Sequence, residues 1–208
     1  LKTQKASSDK TDKMANILFK VGAMEFGVFK LSTGKASPYY IDLRIIPSFP
    51  DAFTEICDFY AEFINNQIGA KNFDRIAGVP VTGLIFASQV AYNLKKPFIY
   101  IRKGVRLRGR ERRVEGILAS GEKVLLIDDL VTTGLTLKKA ADAVRAEGGV
   151  VTDAVAFLDR EEGGTQVLEK SGVKLQSLLK ISEIASSLYE SGAIDADQKK
   201  TILKQIKK

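Results

Sequence analysis

Apolar residues change their spacing along the chain in a way that reads as helices alternating with short strands. After a polar opening to about Thr11, which reads as disordered, Ile17, Leu18 and Val21 fall on one side of a helix. Residues 28–44 read as two short strands around a turn that contains glycine. Phe53 to Ile68 returns to helical spacing, and strands are expected near 75–79, 97–102, 123–128, 151–158 and 173–179. Helices or one basic segment separate them. The expected fold class is α/β: a mostly parallel twisted sheet flanked by helices, with ligands bound beyond the carboxyl ends of its strands. The expected division is a disordered segment over 1–11 and one domain over 12–208, with a small N-terminal hood over about 12–50 and a mobile loop over about 102–116.

The chemistry concentrates where one apolar run ends. Val124 to Ile127 has no alternation, as a strand covered on both faces requires, and Leu137, Ala140, Ala141 and Val144 then keep a helical period up to Gly148. Between them lie Asp128, Asp129, Leu130, Val131, Thr132, Thr133, Gly134, Leu135 and Thr136. A loop from strand end to helix start offers backbone N–H groups and a helix dipole to an anion. The three threonines add hydroxyl donors, and Gly134 lets the backbone come close. A phosphate fits there. Carboxylates pointed at it would repel it, so the Asp pair is expected to accept hydrogen bonds from an attached ribose, or to bind a cation beside it. The run matches neither the P-loop nor the dinucleotide-binding glycine pattern. Gly78-Val79-Pro80-Val81-Thr82-Gly83 forms a second strand-to-helix junction, whose amides could meet another anionic group or only turn the chain.

Composition narrows the setting. The chain has 208 residues, one cysteine, no histidine and a net charge of +7. Without histidine there is no imidazole acid, base or metal ligand. Cys57 falls among Ile56, Phe59 and Phe63 and is expected to pack, which points to a reducing, cytoplasmic setting. No run approaches a membrane span of roughly 18 apolar residues. Residues 1–20 carry +3, 102–113 carry +6 and 199–208 carry +5, so the rest of the chain carries −7. Basicity confined to two ends and one loop argues against a nucleic-acid groove. Seven cations within residues 102–113 repel one another unless a polyanion such as diphosphate comes near.

The stretch from Val124 to Thr136 closely resembles the 5-phosphoribosyl 1-diphosphate (PRPP) signature of the type I phosphoribosyltransferases. Phe26-Gly27-Val28-Phe29, Ser37-Pro38-Tyr39-Tyr40-Ile41-Asp42 and Leu158-Asp159-Arg160-Glu161 narrow the likeness to the orotate phosphoribosyltransferase family, over about Phe26 to Lys180. The resemblance implies that Asp128 and Asp129 hold the ribose hydroxyls and that the residues from Leu130 to Thr136 hold the 5-phosphate. It implies that Val81 and Thr82 meet the diphosphate, and that Tyr40, Ile41, Thr132 and Arg160 contact orotate, Arg160 through the carboxylate. It also implies Mg²⁺ held mainly through PRPP, and a homodimer whose basic loop reaches the neighbouring site.

Within that loop the resemblance implies that Arg102, Lys103, Arg106 and Arg108 bind PRPP. Arg102 and Lys103 match the family, as does Val114-Glu115-Gly116 at the loop's exit. Between them the family's catalytic lysine is replaced by Arg106 and its histidine by Arg108; in the hood, Ser32 replaces a common lysine, with Lys30 and Lys35 near. Charge stabilisation of a departing diphosphate needs cations rather than proton transfer, so activity is expected to survive, with Lys103, Arg106 and the Asp pair as the catalytic set. Two other readings are a purine-type phosphoribosyltransferase and a PRPP-responsive regulator that binds nucleic acid. Whether the chain works fused to a decarboxylase stays open at this stage.

Overall fold

In the computed structural model, which describes residues 2–30, 36–104 and 112–206, the chain opens with helix α1 (Lys2–Lys20). The polar opening is therefore helical, against the expectation of disorder. Lysine, glutamine and alanine are good helix formers, and Met14, Ala15 and Leu18 bury one side of the helix. Lys10 and Lys13 pair with Glu62 and Glu55 of α2 (Pro50–Gln67). Strands β1 (Met24–Lys30) and β2 (Ala36–Ile41) form a separate antiparallel ribbon, as residues 28–44 led one to expect, although β1 starts four residues earlier.

Then come β3 (Arg75–Gly78), α3 (Thr82–Asn93), β4 (Phe98–Ile101) and the two-residue β5 (Val114–Glu115). The chain continues through β6 (Val124–Val131), α4 (Leu135–Ala146), β7 (Asp153–Asp159), α5 (Gly164–Glu169), β8 (Lys174–Lys180), α6 (Ile181–Glu190) and α7 (Ala196–Leu203). The large sheet has the order β5-β4-β3-β6-β7-β8, with every neighbouring pair parallel except β4 with β5. Among the described residues no helix is long and apolar enough to cross a membrane.

Alternation along β6 explains the three layers. Leu125 and Ile127 join a core with Tyr60, Phe86, Phe157 and Ile184, while Val124 and Leu126 join another with Leu137, Ala141 and Val144. Both faces are apolar because both are covered, which is why the sequence showed a continuous apolar run. From β3 the chain steps outward to β4, and from β6 it steps the other way to β7. The carboxyl ends of β3 and β6 thus flank a topological switch point, where an open sheet leaves a crevice for a ligand.

Candidate active site

Strand β6 outruns its neighbour. Register with β3 stops at Gly78 opposite Ile127, whereas pairing with β7 continues to Val131 opposite Asp159. Asp128 and Asp129 therefore lie inside the strand, not in the loop that the apolar run alone suggested. β7 supplies backbone partners on one side, and the other edge opens onto the switch-point crevice. The Tyr60 hydroxyl donates to the Asp128 carbonyl at 2.5 Å and pins this overhang from α2.

The two acids are not equivalent. Asp128 is only 6% exposed, and its Oδ1 accepts the Asp129 N–H at 3.0 Å. A Cβ on Gly83 would lie 2.5 Å from that oxygen, so the glycine at the start of α3 is what lets the helix close over the acid. Burial, and next the charge of Asp129, hold the Asp128 carboxyl well above the usual carboxylate range. Burial raises Asp129 as well, opposed by hydrogen bonds from Asp128 and the backbone and by the charge of Arg44. Two adjacent carboxyls this dry ionise together reluctantly, and hydroxyl donors would favour their charged forms.

Beyond them, Asp128, Leu130, Val131, Thr132, Thr133, Gly134, Thr136 and Leu137 line a cavity of about 80 Å³. Gly134 takes φ +73° at the start of α4, and no side chain caps that helix, so its first N–H groups are left for an anion. The loop is pressed onto α5: a Cβ on Gly134 would lie 2.7 Å from the Gly164 carbonyl, and one on Gly164 would lie 2.4 Å from Val131 Cγ1. Val131 itself is buried, so it offers backbone only, and its carbonyl accepts the Arg160 N–H at 2.9 Å; Leu135 is 53% exposed. At the second junction Val81 is 59% exposed and Thr82 buried, and α3 also starts without a side-chain cap.

Arg160, expected to meet a carboxylate, is 7% exposed. Its Nε donates to the Tyr39 hydroxyl at 3.1 Å and lies 2.9 Å from Glu162 Oε1, and its guanidinium stacks 4.7 Å above the Tyr39 ring. Nη2 is buried with no hydrogen-bond partner among the described residues, an expensive arrangement that an incoming carboxylate would relieve. The Glu162 contact is an ion pair rather than a well-directed hydrogen bond, since Oε1 is also left without a hydrogen-bond partner.

Alternation along β2 turns Tyr39 inward to Arg160 and Tyr40 to the opposite side, where its ring stacks 5.6 Å from Phe29 and its hydroxyl accepts from Arg44 at 2.8 Å. Ile41 pairs in register with Met24 and is half-buried. Arg44, Glu162 and Gly164 were missed by sequence reasoning, while Tyr39 and Gly83 entered it only as members of the hood motif and of the second junction. The contacts that single out Tyr39 and Gly83 join residues far apart in the chain.

The basic segment is shorter than expected at its exit. Val114 pairs with Ile101, Glu115 with Tyr100, and the Arg102 N–H donates to the Arg113 carbonyl at 2.9 Å, so the excursion is closed at its base. Glu147, just past α4, accepts the N–H groups of Arg113 and Val114 at 3.0 and 2.9 Å. Arg102 is engaged with Glu115 at 3.2 Å, whereas Lys103 is exposed at the carboxyl edge of the sheet. Arg106 and Arg108 lie outside the described residues, as do Ser32 and Lys35. Among the described residues no group of three or more His, Cys, Asp or Glu side chains is placed to hold a metal.

The phosphoribosyl transferase domain family matches residues 50–191. An orotate phosphoribosyltransferase of Cenarchaeum symbiosum (strain A) is 40% identical over 186 residues, 89% of this chain and 93% of that one. The crystal structure of orotate phosphoribosyltransferase from Aeropyrum pernix superposes with a TM-score of 0.72 at 31% identity, over 86% of this chain and 99% of that one. UMP synthase of Leishmania donovani gives 0.82 at 30% identity, over 93% of this chain, which spans only 41% of that longer protein. With the acid pair, the phosphate loop and the switch-point crevice in place, the chain belongs to the phosphoribosyl transferase family, among the orotate phosphoribosyltransferases.

Proposed function

We propose that this protein transfers the phosphoribosyl group of PRPP to N1 of orotate, giving orotidine 5'-monophosphate and diphosphate, in the synthesis of UMP. The observation that carries the choice of base is Nη2 of Arg160, buried and without a hydrogen-bond partner among the described residues, on a residue whose backbone N–H donates to the Val131 carbonyl. A purine base carries no carboxylate to satisfy it.

The loop from Leu130 to Thr136 takes the 5-phosphate on backbone N–H groups and threonine hydroxyls, and Asp128 and Asp129 accept from the ribose diol. Val81 and Thr82 approach the diphosphate, while Arg160 and Thr132 hold orotate against Tyr40 and Ile41. Orotate N1 forms its bond to ribose C1 as the bond from C1 to diphosphate breaks; the bonding pair departs with the diphosphate, and the N1 proton is released to the diphosphate or to water. Lys103 and the loop arginines Arg106 and Arg108 stabilise the negative charge that accumulates there; Arg102 acts through its place at the loop base. Two carboxylates make no cage for a cation. The donor set fits a Mg²⁺ that takes most of its oxygens from diphosphate and water and supplies further charge stabilisation. The same reading makes the protein a cytoplasmic homodimer with the basic loop shared between sites.

The test follows orotate absorbance in a mixture of protein, PRPP and Mg²⁺, with purine bases, uracil and RNA binding as controls. Loss of orotate alone is expected. Consumption of a purine base, or salt-sensitive RNA binding with no base consumed, would replace this reading with one of its rivals.

A further inference from the structure

Arg44 sits at the first turn of the short 3-10 helix Leu43–Ser48, directly after the hood ribbon. Its Nε and Nη2 take both oxygens of Asp42, at 2.6 and 2.7 Å, and Nη2 also donates to the Tyr40 hydroxyl at 2.8 Å. Capping the 3-10 helix needs only the Arg44 backbone N–H, which Asp42 already accepts at 3.0 Å. The guanidinium adds nothing to that cap. Its side chain is 66% exposed, and an ion pair so exposed adds little to stability. Holding a long side chain in one fork costs rotamer entropy of similar size, so the arrangement is poorly explained as a fold stabiliser.

Position supplies the better explanation. Tyr40 stacks on Phe29 and is the hood ring read here as facing the base, and Arg44 fixes that ring by its hydroxyl. Its Nη1 has no partner among the described residues. One side chain thus fixes the hood ring that faces the base in the proposed site.

We propose that Arg44 is a further substrate-positioning residue, which sets the Tyr40 ring for the nucleobase. This rests on the reading of the site as one for PRPP and orotate. The contact depends on the planar fork, which spans Asp42 and Tyr40 at once and which a lysine ammonium does not reproduce.

The experiment measures KM for each substrate, with the other saturating, in Arg44→Ala, Arg44→Lys and Tyr40→Phe, together with Tm. Arg44→Ala, Arg44→Lys and Tyr40→Phe are each expected to raise KM for orotate at least about fivefold, with KM for PRPP within about twofold, kcat within about threefold and Tm unchanged. A KM for orotate in Arg44→Ala within about twofold of the wild type, an equal rise in KM for PRPP, or a fall in rate that only tracks lost folded protein, overturns the proposal. If the wild type binds PRPP but consumes no orotate, it is the functional reading that fails. Arg44 is then judged by orotate affinity measured calorimetrically in the presence of PRPP, where an unchanged Kd in Arg44→Ala rejects it.

Discussion

Asp128 shows how one residue is asked to serve two ends. A carboxyl whose folded pKa lies above its unfolded value binds its proton more tightly in the folded state. Its stabilising effect is complete below the usual value of 3.8 and is lost as pH rises through the folded value. Asp128→Asn removes that loss while keeping an oxygen to accept the Asp129 N–H. The variant should melt above the wild type at pH 8, by a margin that shrinks toward pH 4, while kcat/KM falls at least about tenfold. A margin equal at both pH values would disconnect the buried acid from stability. For Arg106, which the resemblance places at the leaving group, Arg106→Ala should lower kcat/KM at least about 100-fold, about 2.7 kcal/mol. A loss below about threefold removes it from the catalytic set. The acids and the threonines were candidates by type, because they suit diol and phosphate, whereas Arg160 became one through the family resemblance. Tyr39 and Glu162 were not, since what matters is that they meet Arg160, and Tyr39 lies 121 positions away in the chain.

Among the elements, the loop from Leu130 to Gly134 is shaped by the helix beside it. Gly134 and Gly164 face each other at distances that admit no Cβ, so the start of α4 is set by the start of α5. Gly164→Ala would push Val131 Cγ1 and the Thr132 carbonyl, and it should raise KM for PRPP at least about tenfold and lower Tm, with KM for orotate less affected. Unchanged PRPP affinity would show that the loop sets its own geometry. The strands were readable from their apolar runs, but the end of β6 was not. Polar Asp128 and Asp129 look like a loop when only local sequence is considered, and pairing with β7 as far as Asp159 keeps them extended. The same limit applies at the other end of the basic segment, where pairing with β4 and the carboxylate of Glu147 make residues 114–115 a strand.

Over the whole molecule, two apolar layers enclose a sheet, and their dryness has a chemical consequence for Cys57. Burial, and next the charge of Asp58, push its thiol up to about 12. Native protein at pH 8 should leave a thiol reagent unreacted for as long as it stays folded, and should release one equivalent on denaturation. Prompt labelling of folded protein would show that this layer opens. What the sequence determined by itself was the alternation of strands and helices, the α/β class and a set of candidate phosphate- and sugar-binding groups, because hydrophobic period and side-chain chemistry are local properties. Only the tertiary structure decided that β6 reaches past β3, that the acids differ in burial, and that Arg44 meets Tyr40 while Tyr39 meets Arg160. Each of those depends on which distant segments come into register, and no local pattern records that.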